Sequence, residues 1–223
     1  MAEQEQEKTQ EETPKDEKDL AVLDKIKLFN RWSFSDVEVD DMSLGPYINI
    51  NPVIIPHTGG HHFRKRFWKT EKISIVERFV NRMLAPGLLT RHIKGRGSSL
   101  IMGKKQKILK IVYNAFSIIE AQVNKNPIQV LVDAIINAAP REETTRISMG
   151  GVSYQQAVDI APQRRIDLAV RYIVQVVAGQ SYNNILTIDE ILAKELILAA
   201  KNDVSSQIIS KKDEIERIAV GAR

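Results

Sequence analysis

Residues 126–173, NPIQVLVDAIINAAPREETTRISMGGVSYQQAVDIAPQRRIDLAVRYI, decide the fold, because the hydrophobic period changes twice within them. Asn126 followed by Pro127 reads as a helix start, since proline at the first helical position gives up an N–H that has no intrahelical partner. Ile128, Leu131, Val132, Ile135 and Ile136 then recur at helical spacing, and Pro140 ends the run. Over 142–160 the period drops to two. Val152, Tyr154, Gln156, Val158 and Ile160 share one face, and Met149-Gly150-Gly151 supplies a turn. The reading is a β-hairpin with its tip at 149–151, polar on both faces. A lone two-stranded ribbon is marginal in water, so this one is expected to rest on a partner. Pro162 opens the next helix, with Ile166, Ala169, Val170, Ile173 and Val177 buried and Gly179 at its close.

Upstream of this stretch, Ile73, Val76, Val80, Met83 and Leu84 mark a helix stopped by Pro86-Gly87. A Gly-rich basic loop covers 87–103. A longer helix over about 104–124 carries Ile108, Ile111, Val112, Ala115, Ile119 and Val123 on one stripe. Lys104, Lys105, Lys107 and Lys110 lie off that stripe. Downstream, Thr187 with Glu190 reads as a capping box. Its helix buries Ile188, Ile191, Leu192, Leu196 and Ala199. Ser210 with Asp213 is expected to open a last short helix carrying Ile215 and Ile218. The fold class is therefore mainly α: a six-helix bundle with a protruding β-hairpin ribbon, plus an extended N-terminal arm. The organisation read from this pattern is an acidic disordered tail at 1–19, an arm at 20–69 and a helical domain at 70–219, with the ribbon at 142–160. Within the arm, Trp32, Phe34, Val37 and Val39 alternate like a short strand. Gly45-Pro46, Asn51-Pro52 and Pro56 to Gly60 are turn and loop markers.

The chain has 223 residues, 43% of them hydrophobic, enough for a sizeable core; aromatics at 6% disfavour an aromatic ligand cleft. There is no cysteine, which excludes disulfides, thiolate metal sites and a thiol nucleophile. No apolar run approaches the ~20 residues that cross a bilayer. The acidic first residues do not resemble a secretory leader, so a cytoplasmic protein is expected. The net charge of +4 is unevenly placed. Residues 1–19 hold three Lys and eight Asp/Glu, whereas 64–112 hold fourteen Lys/Arg against Glu71 and Glu77. Positive charge this concentrated points to a polyanion partner.

No catalytic constellation emerges. Gly97 to Gly103 followed by Lys104-Lys105 approaches a phosphate-loop spacing, but the gap is five residues instead of four, and Lys105 stands where Ser or Thr would hold magnesium. His57, His61 and His62 share a loop without a nearby carboxylate, so surface or phosphate-contacting histidines fit better than a metal site. Asp40-Asp41 and Glu142-Glu143 are adjacent pairs whose members point apart, which reads as surface solvation. No catalytic residue, metal or cofactor is assigned, and no small-molecule substrate. What remains is binding. Arg64, Lys65, Arg66, Lys69 and Lys72 interleave with Phe63, Phe67 and Trp68, cations for phosphate and aromatics for stacking on bases or for pinning the arm. Arg78, Arg82, Arg91, Lys94, Arg96 and Lys107 extend the basic field. Arg164 and Arg165 fall in a helix first turn, where a cation opposes the macrodipole unless an anion lies near. Arg171 follows on the same face, with an ion pair to Asp167 as its ordinary alternative.

Several separated motifs resemble the small-subunit ribosomal protein S-seven family: Glu77-Arg-Phe-Val-Asn81, Gly103-Lys-Lys105, Ile111-Val-Tyr-Asn-Ala-Phe116, Gly150-Gly-Val-Ser-Tyr154 and Pro162 to Ile173. They occur in the family's order and cover about 73–219. The N-terminal extension and the basic loop resemble archaeal or eukaryotic members. The resemblance implies six helices with a β-ribbon and no enzymatic reaction. It implies a cytoplasmic, ribosomal protein that binds the 3′ major domain of small-subunit rRNA and nucleates assembly of the subunit head. Exit-site tRNA, the mRNA exit path and neighbouring ribosomal proteins are the implied surroundings, with no membrane. By position it implies RNA contacts at Lys104, Lys105, Arg146, Arg164 and Arg165. It also implies a ribbon tip of Met149, Gly150, Gly151 and Tyr154 close to the tRNA. Only Arg146 is basic within the ribbon, so the 64–72 cluster and the 87–103 loop are expected to supply charge the ribbon lacks. Replacing Arg164 and Arg165 together is expected to weaken RNA binding without unfolding the protein. A sequence-specific DNA-binding protein and an RNA-processing factor are the alternatives, but no helix-turn-helix and no reaction site supports them.

Overall fold

The computed structural model describes residues 26–57, 72–84 and 103–223. Among them are six α-helices and one antiparallel ribbon: α1 (Ile75–Met83), α2 (Lys105–Val123), α3 (Pro127–Ala138), β1 (Glu142–Met149), β2 (Val152–Asp159), α4 (Pro162–Gln180), α5 (Ile188–Ala200) and α6 (Gln207–Val220). The mainly helical fold with one ribbon is the one the periodicities predict.

The core is organised around α3. Ile128, Val130, Leu131, Val132, Ala134, Ile135 and Ala138 are all buried, leaving almost no solvent face. A helix that is apolar nearly all round must lie inside, and α3 packs against α4 and α5 while α2 packs on α5. Polar side chains close the helix ends. Asn124 turns the chain out of α2 with φ +54°, and Asn126 accepts from the Ile128 amide at 3.1 Å. Asn137 donates to the carbonyls of Ala199 and Ala200 at 3.0 and 2.9 Å, satisfying groups that the end of α5 leaves unpaired. Glu190 accepts from the Thr187 amide at 2.9 Å, as the capping box requires.

Three element boundaries or assignments differ from the sequence expectations. The last helix starts at Gln207, not at Ser210, with Ser206 as its cap. The Ser206 hydroxyl accepts from the Ile208 amide and donates to the buried carboxylate of Glu195, a tertiary contact no local pattern reveals. Ile208 and Ile209 are accordingly buried, and Ile218 is exposed. Gly179 does not close α4, which continues through Gln180; that side chain reaches Glu195 at 2.6 Å. No strand forms at 32–39. Leu28 and Trp32 make one isolated bridge around a tight turn whose Phe29 and Asn30 have positive φ.

The region at 26–57 lies on the helices as irregular chain apart from one 3-10 turn at Gly45–Tyr47. Leu28, Trp32, Phe34, Leu44 and Ile48 enter the same core as the bundle. Trp32 sits 5.5 Å from Tyr113 and 5.6 Å from Phe116, ring centre to ring centre, so the arm's aromatics pack on α2. Gln129 on α3 accepts from the Glu38 amide at 2.8 Å and donates to the Glu38 carbonyl at 3.1 Å. The Asn49 carbonyl accepts from the Ile75 amide at 2.9 Å, filling one orphan donor at the start of α1.

The ribbon pairs Glu142 with Asp159 through to Met149 with Val152. Gly150 and Gly151 form its two-residue turn, with φ +58° and +82°, a conformation in which a Cβ would be strained. Register shows that the ribbon is not polar on both faces: Ile147, Val152, Tyr154 and Val158 share one, and Arg146 with Gln155 lies on the other. The root rests on α6, where Glu216 accepts from the Arg141 amide and the Ala222 carbonyl from the Ala157 amide. The outer half is exposed.

Candidate nucleic-acid interface

Each cation of the interface is classed by its surroundings. Lys104, Lys107 and Lys110 are exposed, spaced three apart along the start of α2. The helix has no capping side chain and no acid of its own in its first turn, so an added anion near its positive end is favoured. Lys107 and Lys110 lie off the buried stripe of Ile108, Ile111 and Val112 and are exposed. Lys105 between them is different. Its ammonium binds the Glu77 carboxylate, itself 1% exposed, at 2.9 Å, and so ties α2 to α1.

A second group gathers along α4, which packs against α1 on one side and α6 on another. Arg82 is half-buried. Desolvation pushes its guanidinium pKa down first, and the like charge of Arg171 pushes it further, with Asp167 opposing. Arg171 is exposed. Lys211 on α6 lies over the Tyr172 ring at 5.1 Å; burial lowers its pKa first, Glu214 opposes, and Arg171 adds to the lowering. Cations that repel one another in this way favour an added anion. Lys211 has no local sequence signal, because the face of α6 cannot be phased from a start at Ser210, whereas Lys110 is already marked by its place off the buried stripe of α2.

Arg78 and Arg165 are placed inward. Arg78 is 7% exposed and donates to Asp167 at 2.9 Å, with the Tyr47 and Gln163 carbonyls at 3.5 and 3.4 Å. Asp167, the alternative partner for Arg171, is thus engaged by Arg78. Arg165, 8% exposed, donates to the Ser43 hydroxyl at 2.7 Å and to Asp41 at 3.2 Å. The hydrogen bonds from Ser43, and then the Arg165 charge, hold the Asp41 carboxyl below the usual carboxylate range against the cost of burial. Removing Arg164 and Arg165 together would therefore disturb the arm as well as the surface. Arg164 stays at the surface, forked onto both Glu143 oxygens at 2.7 and 3.0 Å, a hydrogen bond that raises its pKa. The anions needed by the cationic first turn of α4 are therefore Asp41 and Glu143. Those residues, with Glu142 paired to Arg223, are partners of arginines and not merely solvated acids.

Arg146 is exposed on the ribbon, opposite the face that carries Tyr154. The tip glycines Gly150 and Gly151 and Tyr154 are exposed; Met149 closes the strand beside them. Lys72 is exposed just ahead of α1, and His57 is exposed at the end of the arm segment. Arg64, Lys65, Arg66, Lys69, Arg91, Lys94 and Arg96 lie outside the described residues, as do His61, His62, Phe63, Phe67 and Trp68. Among the described residues no helix is long and apolar enough to cross a membrane.

A helical body with an exposed ribbon and outward cations on several helices is the architecture of a protein suited to bind a polyanion. The family model for Ribosomal protein S7p/S5e matches residues 46–223, and the chain belongs to that family. It is a ribosomal protein of the small subunit, from a family of structural components of the translation machinery and not of enzymes.

Proposed function

We propose that the protein binds the 3′ major domain of small-subunit rRNA and nucleates assembly of the subunit head, with its ribbon tip near exit-site tRNA and the mRNA exit path. Phosphates are gripped by Lys104, Lys107 and Lys110, by Arg82 and Arg171, and by Lys72, Arg146 and Arg164. The cations of 64–69 and 91–96 add to the same field. Arg78, Lys105 and Arg165 act by positioning: they hold α1, α2 and the arm so that the contact residues face outward. The ribbon, with Arg146 as its only cation, uses shape and the Met149, Gly150, Gly151 and Tyr154 tip more than charge. The 20–69 arm and the 70–219 body act as one unit in this reading, with neighbouring ribosomal proteins as further partners, in cytoplasmic ribosomes.

The observation that carries the reading is the exposed lysine row at the uncapped, acid-free start of α2, in a chain of this family. The test is a titration of purified protein against a 3′ major domain rRNA fragment at two salt concentrations. An unrelated structured RNA and an equal-length duplex DNA serve as competitors. Selective retention of the rRNA fragment at higher salt is expected. Equal loss of all three ligands would reduce the interface to a non-specific basic surface and overturn the proposal.

A further inference from the structure

The ribbon root is held from two sides by ion pairs that the RNA-binding reading leaves unexplained. Glu142 and Glu143 are neighbours on β1, so alternation sends their side chains to opposite faces. Glu142 pairs with Arg223, and Glu143 receives the two-pronged grip of Arg164 from the first turn of α4. The Arg164 side chain is 58% exposed and that of Glu143 is 24% exposed, so the pair lies at the solvent boundary. A guanidinium forked onto two carboxylate oxygens presents the same donors that fork onto two phosphate oxygens. In addition, α4 begins without a capping side chain and without an acid of its own, so an anion on Arg164, carboxylate or phosphate, is stabilising there.

We propose that Glu143 is a specificity-determining residue that holds the place of an RNA phosphate on Arg164; the proposal rests on the RNA-binding reading above. An ion pair this exposed is weak in water, so it can be exchanged. A loosely bound polyanion has no means of displacing a carboxylate that is tethered at high effective concentration. A phosphate delivered to Arg164 by an RNA already held at α2 and at Arg171 competes on equal terms. Glu143 thereby charges a toll that only RNA of matching shape can meet. The exchange also removes one of the two braces on the ribbon, while Glu142 with Arg223 and Glu216 with the Arg141 amide keep the other side fixed.

The test uses the full chain and two variants. For Glu143→Gln, affinity for an unrelated structured RNA is expected to rise by about fivefold or more and affinity for the rRNA fragment by less, so the selectivity ratio falls. Amide exchange over 142–159 is expected to be faster in the RNA-free variant than in wild type. In wild type, rRNA binding is expected to accelerate exchange at the root, and in the variant to add nothing. The exchanged pair Glu143→Arg with Arg164→Glu is the control for folding. It restores slow exchange at the root but loses rRNA affinity, because a carboxylate then stands on α4. An unchanged selectivity ratio in Glu143→Gln, alongside wild-type preference for the rRNA fragment, overturns the role of Glu143 alone. Wild-type protein that shows no preference for that fragment overturns the proposed function itself.

Discussion

Arg165 and Asp41 lie 124 positions apart and meet at 3.2 Å, with Ser43 completing the contact at 2.7 Å. Breaking a largely buried charge pair from one side leaves the other charge uncompensated. Arg165→Ala is therefore expected to destabilise the protein by about 2–4 kcal/mol. It should lower the urea midpoint and speed proteolysis within 36–47. Arg165→Lys keeps the charge, loses the fork and falls between the two. The acid partner has a pH dependence of defined sign. The folded pKa of Asp41 lies below its ordinary 3.8, so its contribution is present above that value and is lost as the pH falls through the folded pKa. Asp41→Asn should flatten the acid limb of a stability-against-pH curve. Asp133 on α3 has the opposite sign. Half-burial raises its pKa, with the Gln129 hydrogen bond opposing, so its charge counts against folding above the unfolded pKa. Asp133→Asn retains an oxygen for Gln129 at that position, and its melting temperature at pH 7 is expected to equal or exceed wild type; a clear fall would refute the desolvation argument.

Among the elements, α3 is the one whose packing leaves least room for change. Leu131 is fully buried at the centre of the core, and Leu131→Ala is expected to cost about 2–5 kcal/mol, read from the urea midpoint at constant slope. The ribbon responds differently. Gly151 has φ +82° and open space around it, so Gly151→Ala meets no clash but carries a backbone penalty of about 1 kcal/mol. Because the tip is exposed, faster amide exchange confined to 142–159 is expected, with the global midpoint unmoved. The same contrast explains what the sequence made legible. Helices α2 to α5 declare themselves through an apolar stripe and local caps such as Asn126 and Thr187. The ribbon declares itself through period two and a Gly-Gly turn. The start of α6 does not, because Ser206 and Ser210 are both plausible caps and the choice depends on Glu195, eleven positions away. The alternation at 32–39 misleads for a related reason: Trp32 and Phe34 are spaced to bury against the bundle, and no second strand pairs with them among the described residues.

Across the whole molecule, the positive field is legible from counting residues, but the free cations within it are not. Arg78, Lys105 and Arg165 look equivalent to their neighbours in sequence, yet each is engaged by a carboxylate 89, 28 or 124 positions away. Long-range pairing of this kind has no local pattern, so the chain yields the sign and region of the interface and the fold selects its members. This division makes salt dependence the decisive global measurement. Each phosphate contact that is formed releases condensed counterions, so log K falls with log salt in proportion to the number of contacts. Replacing Lys104, Lys107 and Lys110 together with Ala removes three exposed cations without touching the Lys105–Glu77 tie, so folding should be preserved. The slope for rRNA-fragment binding is then expected to become shallower by about 2–3. Lys194 and Lys201, exposed at α5 and outside the proposed interface, are a two-charge control, and their removal should leave the slope unchanged. Equal slope changes in both variants would mean that RNA samples the whole surface, because only a docked orientation can make one group of exposed lysines count and another not.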